Sequence, residues 1–288
     1  MALDKKSVNQ ERETLIAQAL DTPEGRVALA QAMVEPIRRA LEYQAVGRKL
    51  LMVDELPQGA YARYEKDVRA TAIVISRRGG VPDEIIEGEE VLVPTFEIAT
   101  NPQIRLSEVK ARRFYIVDRA QIKAKEAIQK EEDRNIFLAI DAAVDAAHTV
   151  ISTGGALSLN ALNQAFALVE QHDLTVGKIV CHALRYADIR NFGKTVYDEA
   201  TQKEVLTTGL FGHLFTADIH VSSKVPTTTV FILAPAEYLG AFPIRQDITV
   251  LPADDPKKLR LGWVIYEEVG ICIINRYAAA KVTVTSGS

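Results

Sequence analysis

One uninterrupted helical pattern constrains the fold of this chain more than any other feature of its sequence. It runs from Asp118, with Gln121 in the capping-box position, to Ile151, and Thr153-Gly154-Gly155 follows it. A helix of that length spans about 50 Å. Its first half is rich in Lys and Glu, whereas the half beginning at Ile136 is apolar on nearly all sides. The pattern therefore predicts a helix that starts in solvent and ends in a core.

The region before this helix has the opposite character, because the helical period disappears between Tyr61 and Val117. Runs typical of strands replace it, and Pro94 inside one of them is tolerated only at a sheet edge or a bulge. Large apolar residues are too few here for an independent core, and an isolated ribbon is marginal in water. We therefore expect residues 1–117 to have no core of their own and the ribbon to pack against something else. The predicted strands are Ala72–Ile75, Val91–Ala99, Gln103–Val109 and Arg113–Asp118.

The N-terminal segment is helical in pattern. Thr22 is a candidate N-cap with Pro23 at the first helical position, where its missing N–H costs nothing. Apolar residues recur at helical spacing from Val27 to Leu41, and Gly47 offers a stop. Pro36 lies inside this run and predicts a kink.

From Leu157 onward the pattern alternates between helices and strands. The predicted helices are Leu159–Glu170, Leu184–Asn191 and a short one from Pro235 to Leu239. The predicted strands are Lys178–Ala183, Ala217–Ser222, Thr228–Ala234, Asp247–Leu251, Arg260–Asn275 and Ala279–Thr285. The Gly- and Thr-rich stretch Phe192–Phe215 is predicted to be a loop.

Composition excludes several classes of protein. The 288 residues are 48% hydrophobic and 25% charged, with a formal net charge of −4, which excludes a disordered chain and one that grips nucleic acid through a globally basic surface. No apolar stretch approaches the ~18 residues of a membrane span, so no membrane partner is expected. The polar N-terminus predicts no secretory signal. With only Cys181 and Cys272, no disulfide framework is expected.

The sequence lacks the usual motifs of catalysis, phosphate binding and metal binding. There is no P-loop, no dinucleotide-binding glycine motif, no nucleophile elbow and no HExxH. The five histidines lack metal-ligand spacing, and Cys181-His182 on one predicted strand would point to opposite faces. We therefore predict no enzymatic activity, no cofactor and no metal. Glu131-Glu132 is interpreted as a solvated helix face, whereas Glu267-Glu268 interrupts an apolar strand and is a candidate for facing a partner.

The order of the predicted elements is more specific than any single motif. A helical arm leads to a long β-ribbon, a spine-length helix, an α/β lobe and a long C-terminal strand. The accompanying local features are Val34–Arg39, Gly47–Leu50, Arg260–Trp263 and Ile273–Val282. In this succession the chain resembles, over essentially its whole length, the major capsid proteins of tailed bacteriophages with the Hong Kong 97 fold, which encapsulin shells share.

The resemblance implies an α+β, Hong Kong 97-like capsid fold in four parts. These are an N-terminal helical arm at 1–58, an extended β-hairpin (the E-loop) at 59–117, a peripheral (P) domain with the long spine helix at 118–172 plus 245–275, and an axial (A) domain at 173–244 plus 276–288. A ribbon with unpaired edges needs a cover, and a neighbouring subunit is the natural one.

The resemblance also implies a function. The chain would self-assemble into hexamers and pentamers of an icosahedral shell that encloses the double-stranded DNA of a tailed phage without sequence-specific binding. Further expected partners are a portal protein and scaffolding or cement proteins; because the chain starts close to the arm, a separate scaffolding protein or none is expected. The expected location is the virion, after assembly in the host cytoplasm. The implied inter-subunit contacts are Pro36, Arg38, Arg39, Arg77, Arg78, Glu89, Glu90, Glu267 and Glu268.

Two alternatives stay open. One is an encapsulin-like nanocompartment shell, which would enclose protein cargo in place of a genome. The other is a cytosolic α/β enzyme with a site around Cys181, His182 and Glu267. The sequence also places Arg77-Arg78-Gly79-Gly80 at a ribbon turn, which is a better interpretation than an RNA-binding motif because one such tetrapeptide is not an array.

Overall fold

The computed structural model of the chain describes residues 46–57, 59–65, 90–108, 115–192 and 213–285. They form two compact units. The first draws on residues 1–48, 95–136 and 244–269, and the second on residues 49–94, 137–243 and 270–288. Residues 1–45 of the predicted helical arm, the strand Ala72–Ile75 and the turn at residues 77–80 lie outside the described residues. In the described part of the arm, Met52–Glu55 forms a strand and not a helix.

The described residues contain both helices and strands, which confirms the α+β prediction. The helices are α1 (Gly47–Leu50), α2 (Tyr115–Ala143), α3 (Leu159–Glu170), α4 (Ala183–Arg190) and α5 (Ala236–Leu239). The strands are β1 (Met52–Glu55), β2 (Arg63–Glu65), β3 (Glu90–Leu92), β4 (Thr95–Thr100), β5 (Gln103–Arg105), β6 (Thr149–Thr153), β7 (Lys178–Cys181), β8 (His213–Leu214), β9 (Ala217–Val221), β10 (Thr229–Leu233), β11 (Gly240–Pro252), β12 (Arg260–Gly270), β13 (Cys272–Ile273) and β14 (Ala279–Thr285). None of these helices combines the length and apolar character needed to cross a bilayer.

The first unit is built on a long antiparallel strand pair. From Ile244 onward β11 pairs with β12, in a register that sets Val250 opposite Ile265 and Pro252 opposite Trp263. β5 pairs with the first three residues of β12, and β4 is also a neighbour of β12. Apolar side chains of these strands and of the first part of α2 are buried, so this unit has its own core. Its members include Ile98, Ile104, Ala124, Ile128, Ile136, Ile248, Val250, Trp263 and Ile265.

The long helix is confirmed, but its bounds differ from the prediction. α2 has 29 residues and begins at Tyr115, so Asp118 is not its cap, and the strand predicted at Arg113–Asp118 is wrong for residues 115–118. The helix ends at Ala143 because Asp145 adopts an extended backbone and its side chain accepts from the His148 N–H, which caps a short 3₁₀ helix. The β-branched run after it forms β6, since β propensity and pairing with β14 outweigh the helical pattern.

The predicted burial of the second half of α2 is only partly confirmed. Ile136, Phe137 and Ile140 are buried, but Leu138 is 57% exposed and Ala142 is exposed as well. The helix therefore buries one face here, as successive residues 100° apart require when only one side is packed.

The second unit contains a mixed six-stranded sheet with the order β6-β14-β10-β7-β9-β8. Two neighbouring pairs are parallel, β6 with β14 and β7 with β9, and the other pairs are antiparallel. All five residues of β10 are buried, as expected for a central strand covered on both faces. The Phe231 ring of β10 stacks on Phe137 of α2, with centroids 6.3 Å apart.

Several predicted elements need correction at their ends. α3 and β14 match the prediction to the residue, but β7 stops at Cys181 because His182 leaves the strand and caps α4. The strand predicted at Asp247–Leu251 begins earlier, at Gly240. The run Arg260–Asn275 is divided into β12 and β13, and Val91–Ala99 is divided into β3 and β4 on either side of Pro94.

Residues before the long helix bury more than was predicted. In the second unit Leu50 is fully buried and Leu51 is 2% exposed, and Ala62, Val93 and Cys272 form a small apolar cluster. In the first unit β4 and β5 each bury an isoleucine. The expectation that residues 1–117 lack any core is therefore wrong for these described parts, because a few apolar residues suffice when they pack on elements that come later in the chain.

Candidate assembly surfaces and a buried ionic cluster

Most of the predicted inter-subunit residues lie outside the described part of the chain. This applies to Pro36, Arg38, Arg39, Arg77, Arg78 and Glu89. Glu90, Glu267 and Glu268 lie within it, and their surroundings differ sharply.

Glu90 is on the surface of the two-stranded β2–β3 ribbon. Its carboxylate lies 3.8 Å from the Arg63 guanidinium across the strand pair, and both side chains are more than 60% exposed. An exposed pair of this kind contributes little to stability. The Glu90 side chain is thus accessible for contact with a second molecule, and its predicted role in an inter-subunit contact stays a prediction.

Glu268 is half-buried on β12. It accepts a hydrogen bond from Arg245 at 2.8 Å and another from the Thr95 hydroxyl, and 22% of its side chain is exposed. These partners hold its orientation within the first unit. Its predicted inter-subunit role stays a prediction.

Glu267 has an intrachain role, which replaces the contact role expected from the sequence. It is 0% exposed, and its Oε2 accepts from Nη2 of Arg48 at 2.9 Å. A carboxylate buried in its own chain cannot meet a neighbouring subunit. The interruption that Glu267-Glu268 makes in an apolar strand reflects an internal ion pair at Glu267.

Arg48 connects two elements of the first unit. Its Nε donates to Glu132 of α2 at 2.7 Å, while Nη2 donates to Glu267 of β12. The Arg48 side chain is 8% exposed, and both glutamates are fully buried. Next to it, the Gly47 N–H donates to Asp133 at 2.8 Å. We call Arg48, Glu132 and Glu267 the ionic cluster.

The backbone before Arg48 lies directly against α2. A Cβ at Gly47 would clash with Ile136 and stand 3.0 Å from Asp133. A larger residue at this position would have to displace the Ile136 side chain, so close approach, and not an unusual φ, favours glycine here. Its lack of a side chain lets the N–H reach the Asp133 carboxylate.

Burial governs protonation in the ionic cluster. Burial, followed by the charge of Glu132, raises the pKa of Glu267 to about 8. Burial also raises the pKa of Glu132 against the opposing effect of Arg48. For Arg48 burial acts to lower the pKa, but the two glutamates outweigh it and the net direction is upward. A guanidinium that stays charged thus faces carboxyls that resist ionisation.

The spacing of apolar residues around Glu132 was a sequence signal for this cluster, although Glu132 lies in a run of charged residues. Glu131 is exposed and lies 3.7 Å from Arg134, as a solvated face predicts, whereas Glu132 is buried. Glu132 stands four residues from both Ile128 and Ile136, which are buried, so the three share one helix face. The interpretation of Glu131-Glu132 as a solvated pair is therefore wrong for Glu132.

The alternative enzyme site receives no support from its members. Cys181 is fully buried, and burial raises the pKa of its thiol to about 12, which opposes formation of a nucleophilic thiolate. The His182 Nδ1 accepts from the Leu184 N–H at 3.2 Å and so is used as a helix cap. Glu267 is used in the ionic cluster.

Two histidines lie side by side in the described part of the second unit. His148 Nε2 lies 3.3 Å from His172 Nε2, the His148 Nδ1 lies 2.8 Å from Asp145, and the Tyr277 ring packs on both imidazoles. Within the described ranges no group of three or more His, Cys, Asp or Glu residues could hold a metal ion. The histidine pair is therefore best described as a packed, hydrogen-bonded contact between three chain segments.

Apolar side chains are also exposed at strands and turns of both units. In the second unit Ile151 of β6 is 63% exposed, Leu92 of β3 is 60% exposed and Tyr61 is 67% exposed. In the first unit Leu259 is 66% exposed, at a turn where its φ is +50°. Single exposed apolar residues are ordinary on protein surfaces, but β6 is an edge strand and β3 belongs to a ribbon, and such edges favour contact with another chain.

Comparison with solved structures shows which fold this is. A chain from Mycobacterium phage Che8 matches with a TM-score of 0.65 at 16% identity, covering 83% of this chain and 91% of that one. The capsid structure of the cyanophage P-SCSP1u matches with a TM-score of 0.65 at 11% identity, covering 84% and 89%. A virus-like particle from Pyrococcus furiosus matches with a TM-score of 0.58 at 17% identity, covering 86% and 98%.

These likenesses confirm the capsid fold that the order of sequence elements predicted. Identities of this size establish the fold alone. No protein-family model matches the chain. No curated protein matches it either.

Proposed function

We propose that this chain is the major capsid protein of a tailed bacteriophage. The observation that carries the proposal is the likeness over more than four fifths of the chain to the cyanophage capsid structure, with 89% of that chain covered. A match of this extent must draw on both units, and not merely on one common sheet. The four-part division into arm, E-loop, P domain and A domain belongs to the same proposal.

Self-assembly is the proposed mechanism, with hexamers and pentamers as the building blocks. The β2–β3 ribbon and the edge strand β6 expose backbone edges and apolar side chains, and a second copy of the chain is a suitable cover for them. Glu90, Glu268 and the candidates outside the described residues are the proposed contacts. The chain performs no catalysis in this role, which agrees with the burial of Cys181.

The proposed contents of the shell are double-stranded DNA. A net charge of −4 suits a container that must not hold phosphate tightly, because many cationic contacts would make binding strong and salt-dependent. The proposed partners are further copies of the chain, a portal protein, and scaffolding or cement proteins. The proposed location is the virion, with assembly in the host cytoplasm.

Electron microscopy of the purified full chain tests the assembly, together with sedimentation over a range of salt and protein concentrations. We expect closed shells tens of nanometres across. A monomer or dimer that persists under every assembly condition would contradict the proposal.

A second candidate is a nanocompartment shell that encloses protein, favoured by the match to the virus-like particle from Pyrococcus furiosus. Its TM-score of 0.58 is below the 0.65 of the cyanophage capsid, so it ranks second. Nuclease treatment of shells purified from infected or producing cells, followed by extraction, separates the two. Protected genome-length DNA supports the phage capsid, whereas stoichiometric foreign protein without DNA supports the nanocompartment.

A further inference from the structure

The ionic cluster fastens the first described residues of the chain to two distant parts of the sequence. Arg48 reaches α2 through Glu132 and β12 through Glu267, and the neighbouring Gly47 N–H reaches Asp133. Residues 47–48 are thereby bound at three points to the first unit. Because they lie within residues 1–58, which were assigned above to the N-terminal arm, the cluster attaches the described end of that arm to α2 and β12.

The charges of the cluster do not balance if every group is ionised. One guanidinium faces two carboxylates, and all three side chains are at most 8% exposed. The charges of Asp133 and Asp247 oppose ionisation of Glu132, and that of Asp247 also opposes ionisation of Glu267. Uncompensated charge in a protein interior is strongly unfavourable, and such sites usually take up a proton instead.

The hydrogen bonds indicate the same imbalance independently of the charges. Glu132 uses only Oε1, and Glu267 uses only Oε2, to accept from Arg48. The remaining oxygens, Glu132 Oε2 and Glu267 Oε1, are buried and have no hydrogen-bond partner among the described residues. Two buried carboxylates with one unsatisfied oxygen each are unfavourable, whereas a protonated carboxyl carries no net charge and gains an O–H donor.

We propose that Glu132 and Glu267 retain one proton between them at neutral pH, and that this proton is a latch that keeps residues 47–48 fastened to α2 and β12. When hydroxide or water removes the proton, the cluster gains one buried negative charge that Arg48 does not neutralise. Opening the site to solvent relieves this charge, so the attachment of residues 47–48 weakens as pH rises.

The direction of the pH effect follows from proton linkage. Burial raises the pKa of Glu267 from 4.5 to about 8 in the closed site. A carboxyl whose pKa is raised on closure stabilises the closed state fully below its ordinary pKa. That stabilisation is then lost progressively as pH rises through the value in the closed site. The opening constant therefore increases by up to about tenfold per pH unit between 4.5 and 8 and levels off above 8.

Hydrogen exchange of the full, unassembled chain measures this opening directly. The Gly47 amide, which donates to Asp133, is a reporter, and mass spectrometry of the peptide that contains residues 46–51 records it after correction for intrinsic exchange rates. For the natural chain we expect protection to fall steeply between pH 5 and 8. A flat corrected profile would overturn the proposal without the need for any variant.

Two matched pairs of variants separate the latch from general effects of charge. Glu267→Gln removes the proton equilibrium on β12, and Glu268→Gln makes the same change at the adjacent, half-buried residue. Glu132→Gln and the exposed Glu131→Gln form the equivalent pair on α2. In Glu267→Gln and Glu132→Gln we expect the protection of the Gly47 amide to change little with pH. In the two controls we expect protection to fall with pH as steeply as in the natural chain.

The outcomes distinguish a proton latch from an ordinary ion pair. If Glu267→Gln and Glu132→Gln weaken protection by the same factor at every pH, so that protection falls with pH as in the natural chain, the latch is excluded. Should one variant fail to fold, the other makes the same test. Because the measurement uses unassembled protein, its result is independent of whether the chain forms shells.

Discussion

The two units of this chain stabilise their interiors by different means. The second unit has a central strand, β10, whose five residues are all buried and mostly apolar, and the Phe231 ring stacks there on Phe137. The first unit has an apolar core too, but it also encloses Arg48, Glu132 and Glu267. Apolar burial does not depend on protonation, whereas a buried ionic cluster does. Changes of pH should therefore affect the first unit more than the second.

The largest loss is expected from Phe231→Ala in the second unit. Removal of a fully buried ring should cost about 3–5 kcal/mol in the free energy of unfolding, from lost transfer energy and a cavity. The loss should be equal at pH 5 and pH 9, as measured by denaturant unfolding. Phe215→Ala, at a ring that is 56% exposed, is the control and should cost much less. A loss in Phe231→Ala that depends strongly on pH would contradict the expected difference between the two units.

A slightly smaller and pH-dependent loss is expected from Arg48→Met. Without the guanidinium, Glu132 and Glu267 must remain protonated or be buried as unpaired charges, so the cost should reach about 3 kcal/mol at pH 9. At pH 5 both carboxyls take up protons more easily, and the cost should be clearly lower. The same unfolding measurement at the two pH values checks this.

The control for that prediction is Arg134→Met, which removes an exposed guanidinium 3.7 Å from Glu131. It should change the free energy of unfolding by less than about 1 kcal/mol at either pH. Equal effects of Arg48→Met at pH 5 and pH 9 would contradict the role assigned to buried charge.

An intermediate effect is expected at a neutral polar site of the second unit. The Ser158 side chain caps α3 by accepting from the Ala161 N–H at 3.2 Å. Ser158→Ala should cost about 1 kcal/mol, independent of pH, while Ser158→Asp should retain most of the stability because Asp caps equally well. Thermal unfolding of both variants measures the difference. A loss in Ser158→Asp as large as in Ser158→Ala would show that the cap is not the cause.

The smallest effect is expected at the exposed pair of Arg63 and Glu90. Glu90→Gln should change the free energy of unfolding by less than about 0.5 kcal/mol, because solvent already screens this pair. If Glu90 contacts a neighbouring subunit, the same variant should reduce the yield of shells in electron microscopy without altering monomer stability. A loss of monomer stability comparable to that of Arg48→Met would remove the distinction between buried and exposed charge pairs.

The sequence predicted strongly periodic elements well. α3 and β14 were predicted to the residue because amphipathic spacing and a β-branched run leave few alternatives. The end of α2 was not, since Thr149–Thr153 is compatible with helical spacing and becomes a strand only by pairing with β14. The beginning of β11 was likewise missed, because Phe242-Pro243-Ile244 lacks strand alternation.

The ionic cluster was harder to predict than the fold. Glu267 was singled out as unusual within an apolar strand, but its partner was sought in another subunit. Arg48 lies 219 residues away in sequence, and no local pattern connects the two. Glu132 was hidden in a charged run, although its spacing from Ile128 and Ile136 placed it on the buried face.

The sequence by itself determined the order of the elements, because local propensity and apolar periodicity act over short stretches of chain. The order of ribbon, long helix, α/β lobe and closing strands was in turn sufficient for the resemblance that implied the fold. The tertiary structure alone decided which charges are buried and which partners they have. Burial depends on residues that come together from distant positions. Only the folded chain shows that Arg48 contacts two carboxyls, each with one oxygen that has no hydrogen-bond partner in the described part of the chain.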